Sequence, residues 1–210
     1  DFANAATYNM EERYNAYNKG ATSSTTPNVP VTPSTPTQGA RIHLCLEADQ
    51  RTSGLLDALD RANGWATFYC TWDFLESNGE LLRRMVASGY AVGILAESGE
   101  DIAEQLRRGN EALYRATLGK TRLIYVPDAE TTELQALEET GWRCLKPSMN
   151  RAGYKLESSS NASALMKRVA ARRGDVSVWL GTTASAAGLR EFVISAQGAG
   201  HYCRAMTEIG

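Results

Sequence analysis

From Arg41 onward the chain repeats one pattern six times: an amphipathic stretch, a glycine, then a short apolar run rich in β-branched and aromatic residues. The order is helix, stop, strand. RIHLCLEAD opens the series. Leu55, Leu56 and Leu59 form a helical stripe that stops at Gly64 before WATFYCTW. Leu81, Leu82, Met85 and Val86 form the next, stopping at Gly89 before YAVGILA, and Ser77 and Glu80 at its start are spaced as a capping box. Ile102, Leu106 and Leu113 lead to Gly119 and TRLIYVP, LQALEET to Gly141 and WRCLKP, LMKRVAARR to Gly174 and DVSVWLG, and LREFVIS to Gly198 or Gly200 and HYCRAM. Strands joined by helical crossovers must run largely parallel, because a parallel neighbour is reached only by a long connection. Their interiors carry few charges, as expected under a covering layer of helices. Glycine suits the stops because it enters the left-handed C-cap conformation without a Cβ clash. The pattern allows a closed or nearly closed β/α barrel or an open doubly wound sheet.

Upstream the composition changes. Residues 21–40 read ATSSTTPNVPVTPSTPTQGA, an uncharged stretch holding four of the six prolines. It is expected to be a linker, a semi-rigid spacer of roughly 3 Å per residue, of the kind common outside the bacterial membrane. Residues 1–20 form a short N-terminal segment in which Met10, Tyr14 and Tyr17 outline a helical face, and residues 41–210 form the folded domain. The linker points to an extracellular or cell-surface bacterial protein whose signal or anchor lies outside this chain.

Charge and hydropathy exclude several partners. Lys and Arg number 22 against 24 Asp and Glu, so no cationic surplus drives binding to nucleic acid. No run of about 18 apolar residues is present to span a bilayer.

The stretch ATFYCTWDFLESNGELLRRMVASGYAVGIL resembles the central signature of polysaccharide deacetylases of the NodB-homology group. Ala66, Thr67 and Phe68 match a strand, Leu81 to Met85 a helix, and Gly89, Val92 and Gly93 a turn. RIHLCLEAD takes the place of the first motif strand, LGKTRLIYVP that of the arginine-proline motif, and VSVWLG with LREFVISAQGAGHYCRAM that of the closing histidine strand and last helix-strand pair. The resemblance, over about Arg41 to Ile209, implies an irregular seven-stranded β/α barrel. It also implies an aspartate base, a divalent metal on an aspartate and two histidines, an arginine orienting the base, and a late histidine acid. Here Glu47 takes the base position and Ala48 that of the metal aspartate. Leu95 and Gly99 take the histidine positions, Tyr125 the arginine's, and Leu180 or Gly181 the late histidine's. The resemblance therefore implies a catalytically degenerate member with no cofactor, binding glycan or serving a structural role.

Glu47, Asp49, Asp73 and Glu97 fall near the carboxyl ends of successive strands, where β/α folds place their sites. Such carboxylates also cap helices. Carboxylates alone are competent to hold Ca²⁺ or Mg²⁺ or to act as a glycosidase-like pair. An active deacetylase or hydrolase with a shifted site of Glu47, Asp49 and Asp73 is therefore the alternative. Trp72, ending the second strand, and Tyr125 are the aromatic candidates for stacking on a pyranose face, with Trp179 behind them. The expected ligand-lining set is Glu47, Asp49, Trp72, Asp73 and Tyr125. His43 and His201 precede Cys45 and Cys203 by two residues each, so a His/Cys cluster is a further arrangement to test. Cys45, Cys70, Cys144 and Cys203 contain no Cys-x-x-Cys pair, and free thiols are expected. GTTASAAG at 181–188 reads as a loop ending in a Ser/Thr helix cap rather than a phosphate cradle.

Overall fold

The computed structural model describes residues 39–98, 101–150, 154–172 and 174–207. The N-terminal segment 1–20 and nearly all of the linker lie outside them. Each predicted apolar run supplies a strand: β1 Arg41–Glu47, β2 Thr67–Cys70, β3 Ala91–Leu95, β4 Leu123–Tyr125, β5 Arg143–Cys144, β6 Val176–Gly181 and β7 Tyr202–Cys203. The helices between them are α1 Thr52–Ala62, α2 Trp72–Ser77, α3 Gly79–Ala87, α4 Ile102–Thr117, α5 Thr131–Glu139, α6 Ser159–Ala170 and α7 Ala186–Gly198. Every strand pair is parallel, in the order β5-β4-β3-β2-β1-β6, with β7 paired to the amino-terminal end of β1.

The sheet curls until its two edges meet. Beyond β5 the Met149 N–H donates to the Ser177 carbonyl (3.0 Å), and the Trp179 N–H donates to the Met149 carbonyl (3.0 Å), so one bridge links the β5 side to β6. Ser148 reinforces it: its hydroxyl donates to the Ser177 carbonyl (3.1 Å) and accepts the Ser177 N–H (2.9 Å). First and last strands are neighbours. The fold is an irregular parallel β/α barrel, and the open doubly wound alternative does not apply.

Two buried clusters follow from the alternation of side chains along a strand. Ile42, Leu44 and Leu46 face outward into the large core under the helices, where Leu56, Leu59 and Phe192 are fully buried. Cys45, Tyr69, Leu95, Leu123, Tyr125 and Leu145 face inward and fill the barrel.

Local expectations fail where neighbours intervene. The Ser77–Glu80 capping box is not used, because Ser77 closes α2 and Asn78 stands between α2 and α3, its amide donating back to the Phe74 carbonyl (2.9 Å). Gly89 has the expected positive φ of 81°, but two other stops are displaced by one residue: Asn63 (φ 53°) precedes Gly64, and Leu118 (φ 60°) precedes Gly119. Leu118 thus holds a β-carbon in left-handed backbone while 78% exposed, without packing to offset the strain. Leu118→Gly is expected to raise stability by about 1 kcal/mol in a thermal melt; a lower melting temperature would show that the side chain contributes packing.

Candidate functional site

The alternation that sends Cys45 into the barrel also turns Glu47 toward its axis at the carboxyl end of β1. The interior beneath is filled by rings and sulfur. Tyr69 lies edge-on to Tyr125 (centroids 6.0 Å apart) and to Trp179 (5.9 Å), and Tyr125 and Trp179 approach to 4.3 Å. At the base, the Met206 sulfur accepts from the Tyr69 hydroxyl (3.5 Å) and the Cys45 thiol (3.8 Å). On β6 the pairing with β1 shifts between Cys45↔Trp179 and Leu46↔Gly181, which leaves Leu180 as an extra residue and Gly181 at φ 52°. Such a bulge re-aims side chains, and the Trp179 indole here packs beside Gly181, whose missing Cβ would lie 3.5 Å from Nε1.

The sequence candidates separate. Glu47 is half-buried and accepts no hydrogen bond from a described residue; burial first, then the charges of Asp49 and Glu97, raise its pKa above the ordinary carboxylate value. Asp49 is committed to the β1–α1 turn. Its Oδ1 accepts the Arg51 backbone N–H (2.8 Å), its Oδ2 accepts Arg51 Nε (3.0 Å) and Nη2 (2.5 Å), and Arg51 also donates to the Thr182 carbonyl. Asp73 is exposed in the first turn of α2, where a negative charge favours the helix dipole.

Trp72 starts α2 instead of ending β2, and the Arg108 guanidinium of α4 stacks 3.4 Å above its ring, held in turn by Glu76 (3.3 Å). One of its faces is thereby taken. Tyr125 is only 3% exposed, with its hydroxyl accepting from Asn150 Nδ2 at 3.4 Å, so it forms a floor rather than a stacking platform. Trp179, which the sequence ranks behind Trp72, is the partly exposed aromatic on the inner face. The alternate burial of Val176, Val178 and Leu180 in β6 is the signal that assigns it inward.

The positions matched to metal ligands hold aliphatic groups. Ala48 (8% exposed) packs in the outer core and Leu95 (9%) in the barrel interior, while Gly99 lies outside the described residues. Among the described residues no three His, Cys, Asp or Glu side chains converge to hold a metal ion, so the donor set that the fold's metal would need is not assembled there. The His/Cys cluster does not form: Cys45 faces inward and Cys203 outward, and His43 Nδ1 donates to the Arg204 carbonyl (3.1 Å). All four cysteines are free. Burial raises the pKa of Cys45 and Cys70 and pushes Cys203 to about 12, leaving these thiols protonated and poor as nucleophiles. Ser185 caps α7 as its sequence suggests, accepting the Gly188 N–H (3.0 Å), and its own N–H is spent on the Leu156 carbonyl (2.9 Å).

No protein-family model and no curated protein matches the sequence. Solved structures do match in fold. A polysaccharide deacetylase from Bacillus cereus superposes with a TM-score of 0.67 at 13% identity, over 80% of this chain and 93% of that one. A family 4 carbohydrate esterase from Streptomyces lividans, solved with acetate, gives 0.66 at 16% identity over 82% and 94%. A peptidoglycan deacetylase from Bacillus subtilis gives 0.64 at 16% over 81% and 89%. The chain has the polysaccharide deacetylase fold.

Proposed function

We propose that this is a catalytically degenerate polysaccharide deacetylase-like domain of a secreted or surface bacterial protein, binding cell-wall or environmental glycan at the carboxyl-end mouth of its barrel. The observation that carries the reading is the deacetylase fold with buried Ala48 and Leu95 where the family resemblance expects metal ligands. Glycan remains the natural ligand class for a mouth built from carboxylates and aromatic rings. In this reading Glu47 supplies the inner wall, Tyr125 the floor, Asp49 the rim, and Trp72 and Asp73 the adjoining end of α2. The Thr/Pro stretch before Arg41 would hold the domain away from its anchor.

The raised pKa of Glu47 favours a second reading, an active deacetylase or hydrolase with a shifted carboxylate site of Glu47, Asp49 and Asp73. Against it, Asp49 is tied to Arg51 and Asp73 stands on α2. The purified domain is expected to release no acetate from chitooligosaccharide or peptidoglycan fragments. Stoichiometric metal on elemental analysis together with chelator-sensitive acetate release would establish the active reading instead. Calorimetric titration with peptidoglycan, chitin and xylan fragments tests the binding reading, and Trp72→Ala tests whether the free face of that ring takes part. Failure to bind any of the three favours a structural role.

A further inference from the structure

Glu47 and Trp179 stand together at the mouth of the barrel, on adjacent strands and the same inner face. Cys45 is the register partner of Trp179, so Glu47, two residues further along β1, lies beyond the indole toward the open end. We infer that this pair selects the free amine of a de-N-acetylated hexosamine, with the Glu47 carboxylate receiving the ammonium and the exposed part of the Trp179 indole carrying the sugar face. The inference rests on the glycan-binding reading above and names the class of sugar.

Two independent observations carry it. The first is the open carboxylate of Glu47, half-buried at the strand end, with no hydrogen-bond donor and no cation paired to it among the described residues. The neighbouring cation, Arg51, is turned to Asp49 through Nε and Nη2, and Nη2 also donates to the Thr182 carbonyl. The second is the aromatic wall. Tyr69 and Tyr125 are 0% and 3% exposed and back the indole from below, whereas Trp179 itself keeps part of its surface open. The bulge at Leu180 sets Gly181 beside its Nε1 edge, where a β-carbon would stand 3.5 Å away.

An ammonium satisfies both features at once, because it pairs with the carboxylate and is attracted by the ring quadrupole. An N-acetyl group at the same place is a neutral amide. It would cover Glu47 without supplying charge and so raise the cost of its burial.

The experiment is a calorimetric titration of the whole chain at about pH 6.5 with glucosamine tetramer and N-acetylglucosamine tetramer, with spermidine as a cation lacking a sugar face. The glucosamine tetramer is expected to bind at least about tenfold tighter than its acetylated counterpart, about 1.4 kcal/mol. Glu47→Gln, which keeps the side-chain shape, should abolish that preference. Trp179→Phe should weaken the glucosamine tetramer at least about threefold, and melting curves of both variants check that the fold is retained. Equal affinity for the two tetramers, a preference that survives Glu47→Gln, or spermidine binding as tightly as the glucosamine tetramer would each overturn the inference and leave general glycan binding standing. Binding of neither tetramer, nor of any other glycan, would overturn both.

Discussion

Gly93→Ala is expected to destabilise the barrel by about 3 kcal/mol, roughly 10 °C in melting temperature for a domain of this size. Gly93 in β3 is the register partner of Tyr69 in β2, and the ring lies across it. An added Cβ would sit 2.5 and 2.6 Å from two Tyr69 ring carbons and 3.1 Å from the Leu123 carbonyl oxygen. The ring has no easy retreat. It is held edge-on against Tyr125 and Trp179, and its hydroxyl reaches Met206 at the base. Overpacking there must displace the whole interior cluster. Shrinking the obstacle with Tyr69→Leu in the Gly93→Ala background should recover part of the loss, a coupling that the separate mutations would not show. Gly54→Ala provides the control: nothing lies within 4 Å of the added methyl in α1, and a gain of about 0.5–1 kcal/mol is expected. If Gly93→Ala melts like the parent, the Tyr69 ring does not lie across Gly93.

Gly188→Ala should also act against helix propensity. Alanine in the first turn of α7 would by itself gain up to about 1 kcal/mol. Here its Cβ would lie 2.0 Å from the Leu156 carbonyl oxygen and 3.2 Å from Ser185 Oγ. That carbonyl accepts from the Ser185 N–H (2.9 Å) and hydroxyl (3.2 Å), while Ser185 Oγ caps the Gly188 N–H. The methyl must push the Leu156 segment off the helix start, losing the cap as well as the packing. A net loss of about 2–3 kcal/mol is expected, with faster hydrogen exchange at the Ser185 amide. A variant that melts higher than the parent would show that Leu156 does not pack there.

These two glycines mark the boundary of what a linear reading reaches. The deacetylase-like stretch assigns Gly93 to a turn and the capped loop is read as running to Gly188, whereas Gly93 lies in the middle of β3 and Gly188 in the first turn of α7. In each case the obstacle comes from a residue 24 or more positions away in the chain or on another strand. The site divides in the same way. Glu47 reads from the sequence as a carboxylate at the end of an apolar run, and β1 does end there; its inward direction comes from the alternation seen along that strand. Asp49 has equal standing in the sequence, yet it is paired with Arg51, which is itself anchored to the Thr182 carbonyl of the β6–α7 loop. Trp72 outranks Trp179 on sequence position alone, but β2 stops at Cys70, α2 begins at Trp72 itself, and Arg108 covers one face of the ring.

By itself the sequence determined the alternation of helix and strand and the parallel sheet. These depend on side-chain periods of 3.6 and 2 and on stop residues, all properties of a few neighbouring positions. The tertiary structure decided that Met149 joins the sheet edges, that β7 lies beside β1, that Asn63 and Leu118 hold the left-handed turns, and that Trp179 faces the mouth with Glu47. The reason is that register, bulges and the partners of polar atoms are set by contacts between distant segments. A one-residue slip in register turns every side chain of a strand to the opposite face.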